Sequence, residues 1–445
     1  MAAIAFVLAV VAFKPWVHGV DGAGYYSWLR SFVIEGDLDT YDEMKHFEGI
    51  QQPEIQNRPW KVKLPRLHEG KLANFYPVGS AVLWLPFFLA AHLIVIVANA
   101  AGSAVPADGY SAPYLFMSML GSVIWAFAGL TILYGIAARR FGRFPAALAT
   151  GTVWLSTPLV FYMYIHPAMS HANDMFVNSL FILVWLATRR NRSWRGWLAL
   201  GLVVGLATMV RTQNGLLVVF PCIEQALLFF DYLKRRMQTT FAAIAGRAAA
   251  FAGGTLAAFL PQMLAWKEVF GSYVLANAQQ TSAGLEFRPT DLHLLDVFIS
   301  SDRGMFIWSP VTALGLLGVL LLLRTDRRLA ALLLCNFALQ VYVIGSWIGW
   351  SGNISFGPRL FLNSIPAFTI GLAVILSAVQ TRIPRYILVG ACSLFVIWNL
   401  GLLAQYVLKL IPRNGKVPIA GMISNQFFVV PGRILGLIMR SVFRQ

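Results

Sequence analysis

Apolar and polar residues follow one another along this chain in long blocks, not at the short periods of a water-facing helix or strand. Runs such as Leu314 to Leu323 and Ile365 to Ala378 leave no polar face for water. A helix that crosses a bilayer needs about 20 mostly apolar residues, and blocks near that length recur. They predict about 11 spans, near residues 2–17, 114–138, 144–164, 172–188, 196–210, 215–233, 241–265, 306–323, 329–347, 360–377 and 386–404. The chain therefore reads as an all-α integral membrane protein, a polytopic helical bundle.

Composition agrees with this pattern. Of 445 residues, 58% are hydrophobic and 12% charged, about half the charged share of a soluble domain. A net charge of +16 invites a nucleic-acid reading, but its placement argues against one. The basic residues sit in short clusters between apolar runs: Arg139, Arg140 and Arg143; Arg189, Arg190, Arg192 and Arg195; Lys234, Arg235 and Arg236; Arg324, Arg327 and Arg328; Arg382 and Arg385. Short basic loops are cytoplasmic by the positive-inside rule, so the charge is topological and nucleic acid is not a partner. Cys222, Cys335 and Cys392 lie in apolar runs, which predicts neither a disulfide nor a metal cluster. Residues 1–13 lack a basic leader region and a cleavage site, and read as a retained first helix.

Putting the basic clusters inside places two long segments outside, residues 18–113 and 266–309, within a transmembrane domain of residues 1–404. Residues 405–445 form an outer tail, amphipathic from 427 to 443. Residues 78–100 are apolar enough to span, yet a crossing there would turn every basic loop outward. They are expected to pack on the outer surface as a helix or hairpin, with His92 and Pro86 as its polar and kinked points. Nearly all acids fall in the outer segments, so the chemistry is expected at the outer face.

Three constellations stand out there. The first is His18-Gly19-Val20-Asp21-Gly22-Ala23-Gly24-Tyr25-Tyr26, directly after the first helix. A carboxylate so placed is partly desolvated and serves as a base or binds a cation; equally, it caps the helix that follows. The second is Ser170-His171-Ala172-Asn173-Asp174, at the start of a span. His166 and His171 there are candidate metal ligands, but no third ligand has suitable spacing. The third is a set of outward arginines. Arg211 calls for an anionic partner, either Asp174 or a phosphate. Arg303 and Arg359 share that property, while the aromatics around them are an interfacial belt. There is no phosphate-binding loop, dinucleotide fingerprint or Ser-His-Asp order.

In their order along the chain these elements resemble the GT-C superfamily of membrane glycosyltransferases, in the branch of the protein O-mannosyltransferases and the lipid A aminoarabinose transferases. The elements are Val20-Asp21-Gly22 with Tyr25-Tyr26, Asn74-Phe75-Tyr76-Pro77, Arg139 to Gly142, Asp174, Gly205 to Arg211, and Pro358-Arg359-Leu360-Phe361 before Pro366. The resemblance implies juxtamembrane helices in the first outer loop and a sugar donor carried on polyprenyl phosphate. The acceptor would be a lipid, glycan or protein hydroxyl, with membrane lipids around the enzyme. It implies Asp21 as general base, with Asp174 orienting an arginine or the acceptor. Arg211 and Arg359 would offset the phosphate charge, and Lys71 is a further candidate. Tyr25, Tyr26, Tyr76, His171 and Arg303 complete the expected substrate contacts. Where the family carries an Asp-Glu pair this chain has Asp21 alone, so no metal ligand is assigned, although a divalent cation stays open as cofactor. The setting implied is a bacterial inner membrane with the site facing outward. A transporter or flippase is the competing class, disfavoured because no paired repeat halves are found. A scaffold gives no reason for arginines at outer helix tips.

Overall fold

The computed structural model describes residues 12–51, 71–190, 192–234, 240–275, 287–379 and 382–442. Most of the expected first helix lies outside these, as do Glu54, Glu69, Arg235, Arg236 and Glu286. The regular structure of the described residues is helical, with no named strand among them. That follows from the solvent: a segment in hydrocarbon must satisfy its backbone groups internally, and a helix does so alone.

In chain order the helices begin with α1 (Gly19–Arg30), α2 (Tyr41–Gln51), α3 (Gly79–Ala100), α4 (Ala112–Phe141), α5 (Arg143–Leu155) and α6 (Leu159–Tyr164). Next come α7 (His171–Thr188), α8 (Trp194–Val210), α9 (Val219–Leu233) and α10 (Phe241–Phe270). After the short α11 (Asp296–Ile299) and α12 (Met305–Trp308) follow α13 (Val311–Leu322), α14 (Arg327–Gly345), α15 (Ile365–Ala378) and α16 (Arg382–Val407). The tail holds α17 (Ile419–Ser424) and α18 (Val430–Val442). Among the described residues seven helices are long and apolar enough to cross a membrane, and two shorter apolar ones, Trp194–Val210 and Val311–Leu322, accompany them. The protein is an integral membrane protein.

Prolines and polar turns divide several of the expected spans. The one drawn over 144–164 breaks after Leu155, where Ser156 and Thr157 turn their hydroxyls back onto the Thr152 and Val153 carbonyls before Pro158. That over 306–323 breaks at Ser309-Pro310, leaving α12 as a separate turn. The spans near 215 and 360 each open with a 3₁₀ turn, Thr212–Val218 and Arg359–Ser364. Residues 79–100 form one unbroken helix, not a hairpin, and by length and composition it could cross a bilayer. Pro86 is absorbed inside it. Caps appear where the chain turns: Ser193 accepts from Gly196 N, Thr240 from Ala243 N, and Asp326 from Leu329 N while its other oxygen pairs with Arg140.

Compact packing divides the chain into two units, residues 1–132 with 162–285, and 133–161 with 286–445. In the first, Trp84 donates to Ser122 Oγ, which donates to the Pro167 carbonyl, tying α3, α4 and the segment before α7 together. In the second, α13 and α15 touch backbone to backbone. A Cβ on Gly318 would lie 1.8 Å from the Gly371 carbonyl oxygen, so only glycine permits that approach. Close packing of small residues is how helices associate where lipid removes the hydrophobic drive. Leu256, Leu260 and Leu264 on α10, and Ile387, Leu394 and Ile397 on α16, are exposed apolar positions suited to lipid. The three cysteines are free thiols.

Candidate active site

Gly19 enters α1 with φ +75°, and Asp21 follows in the first turn of the helix. The Tyr76 phenol donates to Asp21 Oδ1 at 2.6 Å. Tyr76 is itself held from several sides. The Asn74 side chain accepts from Tyr76 N and donates to the Gly24 carbonyl, and Trp28 Nε1 donates to the Tyr76 carbonyl at 2.8 Å. The ring lies on Gly24, where any Cβ would come 2.1 Å from Tyr76 Cδ2. Gly24 thus makes room for the phenol that orients Asp21.

A line of polar contacts leads away from this carboxylate. The Tyr76 ring meets Tyr25 edge-on at 5.1 Å, and Ser170 Oγ donates to Tyr25 Oη at 3.0 Å. Arg211 Nη1 reaches Ser170 Oγ at 3.3 Å and lies 3.2 Å from His171 Nδ1. Its Nη2 donates to Gln213 Oε1, and its Nε is 3.4 Å from Asp174 Oδ2. Arg211 can make these contacts because the chain is extended there, between the end of α8 and the 3₁₀ turn. Asp174 is fully buried, and its Oδ1 accepts from Asn214 Nδ2 at 2.7 Å and Asn178 Nδ2 at 3.0 Å.

The structure therefore brings together Asp21, Tyr25, Tyr76, His171, Asp174 and Arg211. Of the two partners open to Arg211, Asp174 is present, and the arginine retains a partly exposed side chain, 14% of its full area. Within the same unit, Tyr26 and Lys71 stand apart from this line. Tyr26 is buried against Phe47 and Phe88 and donates to the Gly109 carbonyl at 2.6 Å, so its hydroxyl serves the fold. The Lys71 ammonium pairs with Glu268 at the end of α10. Arg303 and Arg359 belong to the second unit. Arg303 is 2% exposed with φ +65°. It donates to the carbonyls of Ser355, Arg413 and Gly415 and to Asp302, which is the pattern of a structural pin. Arg359 donates to the Gly352 carbonyl at 3.1 Å.

Asn178 and Asn214 join the site without being singled out in the sequence, and Ser170, named there only as a neighbour of His171, joins with them. Their signal was an amide or hydroxyl inside an apolar block, where a polar group needs a partner. His166 and His18 are in edge contact, their ring centroids 4.1 Å apart, and His166 Nε2 lies 3.1 Å from the His18 carbonyl. Among the described residues no three His, Cys, Asp or Glu side chains are grouped to hold a metal ion.

Residues 115–266, which include Asp174 and Arg211, match the sequence profile of the family described as dolichyl-phosphate-mannose-protein mannosyltransferase. No curated protein matches the chain by sequence. Among solved structures, ArnT from Cupriavidus metallidurans bound to undecaprenyl phosphate is similar, with a TM-score of 0.57 and 16% identity over 99% of this chain and 70% of that one. The apo form of the same protein gives 0.52 and 15%, with the same coverage. The chain has the GT-C fold. At this identity the likeness is one of architecture.

Proposed function

We propose that this GT-C protein is an inverting glycosyltransferase. It moves a sugar from a polyprenyl-phosphate donor to an acceptor hydroxyl of a lipid, glycan or protein at the outer face of a bacterial inner membrane. The observation that carries the reading is Asp21 in the first turn of α1, its carboxylate oriented by the Tyr76 phenol. The fold and the family match over residues 115–266 support it.

The acceptor oxygen attacks the anomeric carbon as the bond from that carbon to the phosphate oxygen breaks. The acceptor proton passes to Asp21, and polyprenyl phosphate leaves as an anion that requires no general acid. What the leaving group requires is a compensating positive charge. Arg211 is the guanidinium on the same polar line, held by Asp174 so that its fork keeps one orientation. Tyr25 and Ser170 bridge the two ends and suit contacts to sugar or acceptor hydroxyls. A divalent cation, if one is used, would have to draw on groups beyond Asp21, the single acid of the motif.

The test is Asp21→Asn, which keeps size and hydrogen bonding but cannot take a proton. Purified protein assayed with polyprenyl-phosphate sugars should lose about 10² to 10⁴ in rate while still binding the donor lipid. Retention of more than about a tenth of wild-type turnover would remove Asp21 as general base.

A further inference from the structure

A second set of charged groups lies at the turn between α7 and α8, within the first unit and outside the polar line described above. Three arginines there are stacked on three tryptophans. Arg189 Cζ is 5.3 Å from the Trp185 ring, Arg192 Cζ 4.5 Å from Trp197, and Arg195 Cζ 5.5 Å from Trp194. A guanidinium lying on an indole is fixed in plane, with its N–H edge left to engage an oxyanion.

The innermost pair is the most constrained. The Arg192 side chain is 5% exposed, and Arg192 donates to Thr188 Oγ1 and Glu224 Oε2. Glu224 also accepts from Trp185 Nε1, so this carboxylate is fully engaged by the hairpin. Among the described residues, Arg192 Nη2 and Trp197 Nε1 are nevertheless buried without an acceptor. Buried N–H donors are almost always paired, and two such donors on stacked side chains point to an acceptor that belongs beside them. Arg190 and Arg195 are exposed at the same turn, and Trp194 is 57% exposed. The turn also opens α8, whose N-terminal dipole favours an anion.

We propose that this turn binds the phosphate headgroup of an anionic phospholipid. Its oxygens would accept from the buried Arg192 and Trp197 donors and from the outer arginines, while the acyl chains lie along the apolar helices. An indole-lined, arginine-rich helix turn has the composition that meets lipid phosphate at a bilayer surface. This site is independent of the transferase reading.

The experiment is native mass spectrometry of the full-length protein in detergent, titrated with phosphatidylglycerol and with phosphatidylcholine. Wild type should retain phosphatidylglycerol in preference. Arg189→Gln combined with Arg195→Gln, which leaves the Arg192–Glu224 pair in place, should weaken its retention about tenfold, the scale of a lost charge-assisted contact. Trp197→Phe, which keeps the ring and removes one N–H, should weaken it severalfold. No headgroup preference in wild type, or a preference unchanged in both variants, would overturn the site. Displacement of the lipid by excess inorganic phosphate alone would also overturn it, assigning the donors to free phosphate instead.

Discussion

Two carboxylates at opposite ends of one polar line, Asp21 and Asp174, were both expected from the sequence to do chemistry, and the structure surrounds them differently. Asp21 is partly exposed in the first turn of α1 and is oriented through one oxygen by a phenol. Asp174 is fully buried, with two amides on one oxygen and a guanidinium beside the other. A base must meet its substrate and exchange a proton, whereas a group that holds an arginine must keep its charge and its place. Under the proposed transfer reaction, the surroundings suit Asp21 to the first job and Asp174 to the second.

The largest expected effect tests that separation directly. Asp21→Asn should abolish transfer by about 10² to 10⁴, while Asp174→Asn, still able to accept from Asn178 and Asn214, should stay within about tenfold of wild type, the scale of one weakened charged hydrogen bond. Equal losses in the two variants would collapse the distinction. Stability should show the reverse order. Asp174→Ala leaves Arg211 without its buried counter-charge and should cost about 3 kcal/mol or more in unfolding free energy. Asp21→Ala removes a partly exposed group and its hydrogen bond from Tyr76, and should cost about 1 kcal/mol. Thermal unfolding of both variants in one detergent would show which acid the fold depends on.

A smaller effect sharpens the Asp21 end. Tyr76→Phe keeps the ring on Gly24 and deletes only the donor to Asp21, so kcat should fall by about tenfold with little change in the donor KM. Gly24→Ala should reproduce that loss, because its methyl group would occupy the space of the Tyr76 ring. If Gly24→Ala is silent while Tyr76→Phe is not, the phenol acts on substrate and not through Asp21.

How much of this was legible in the sequence depends on the distance each feature spans. The helical membrane architecture followed from block length alone, whereas for the stranded Arg211 the sequence offered either Asp174 or a phosphate, and the structure sets Asp174 beside it. The breaks at Pro158 and Pro310 were visible as residues but were outweighed by the apolar runs on either side. Arg303 and Arg211 looked alike, both outward arginines before a polar turn. Arg303 spends its donors on carbonyls at Ser355, Arg413 and Gly415, contacts that span many residues and leave no local mark. The same holds for Asn178 and Asn214, which meet on Asp174 from separate elements. Tyr26 beside Tyr25 was read with it, although neighbours on a helix point about 100° apart and only one of them can face Asp21.

The smallest effect concerns a third acid, Glu43 on α2, which carries the comparison outside the site. Like Asp174 it is fully buried against an arginine, with Arg30 Nη1 at 2.7 Å from its Oε1. Among the described residues, and unlike Asp174, it accepts from no side-chain amide, and its Oε2 is buried without a hydrogen-bond partner. Arg30 is moreover shared with Glu35 and with the Asp108 carbonyl, and it lies over the Tyr110 ring. Burial outweighs the Arg30 contact and pushes the Glu43 carboxyl up to about 7. The folded protein then keeps a proton that the unfolded chain releases near its ordinary value of 4.5. This raised value gives Glu43 a contribution to stability that is fully present at low pH, declines as the pH rises from about 4.5 to about 7, and is flat above that. Thermal unfolding of the detergent-solubilised protein across that range should show wild type losing stability relative to Glu43→Gln as the pH rises. A difference that does not change with pH would mean Arg30 holds Glu43 ionised throughout, and Glu43 would then behave as Asp174 does, despite lacking the two amides.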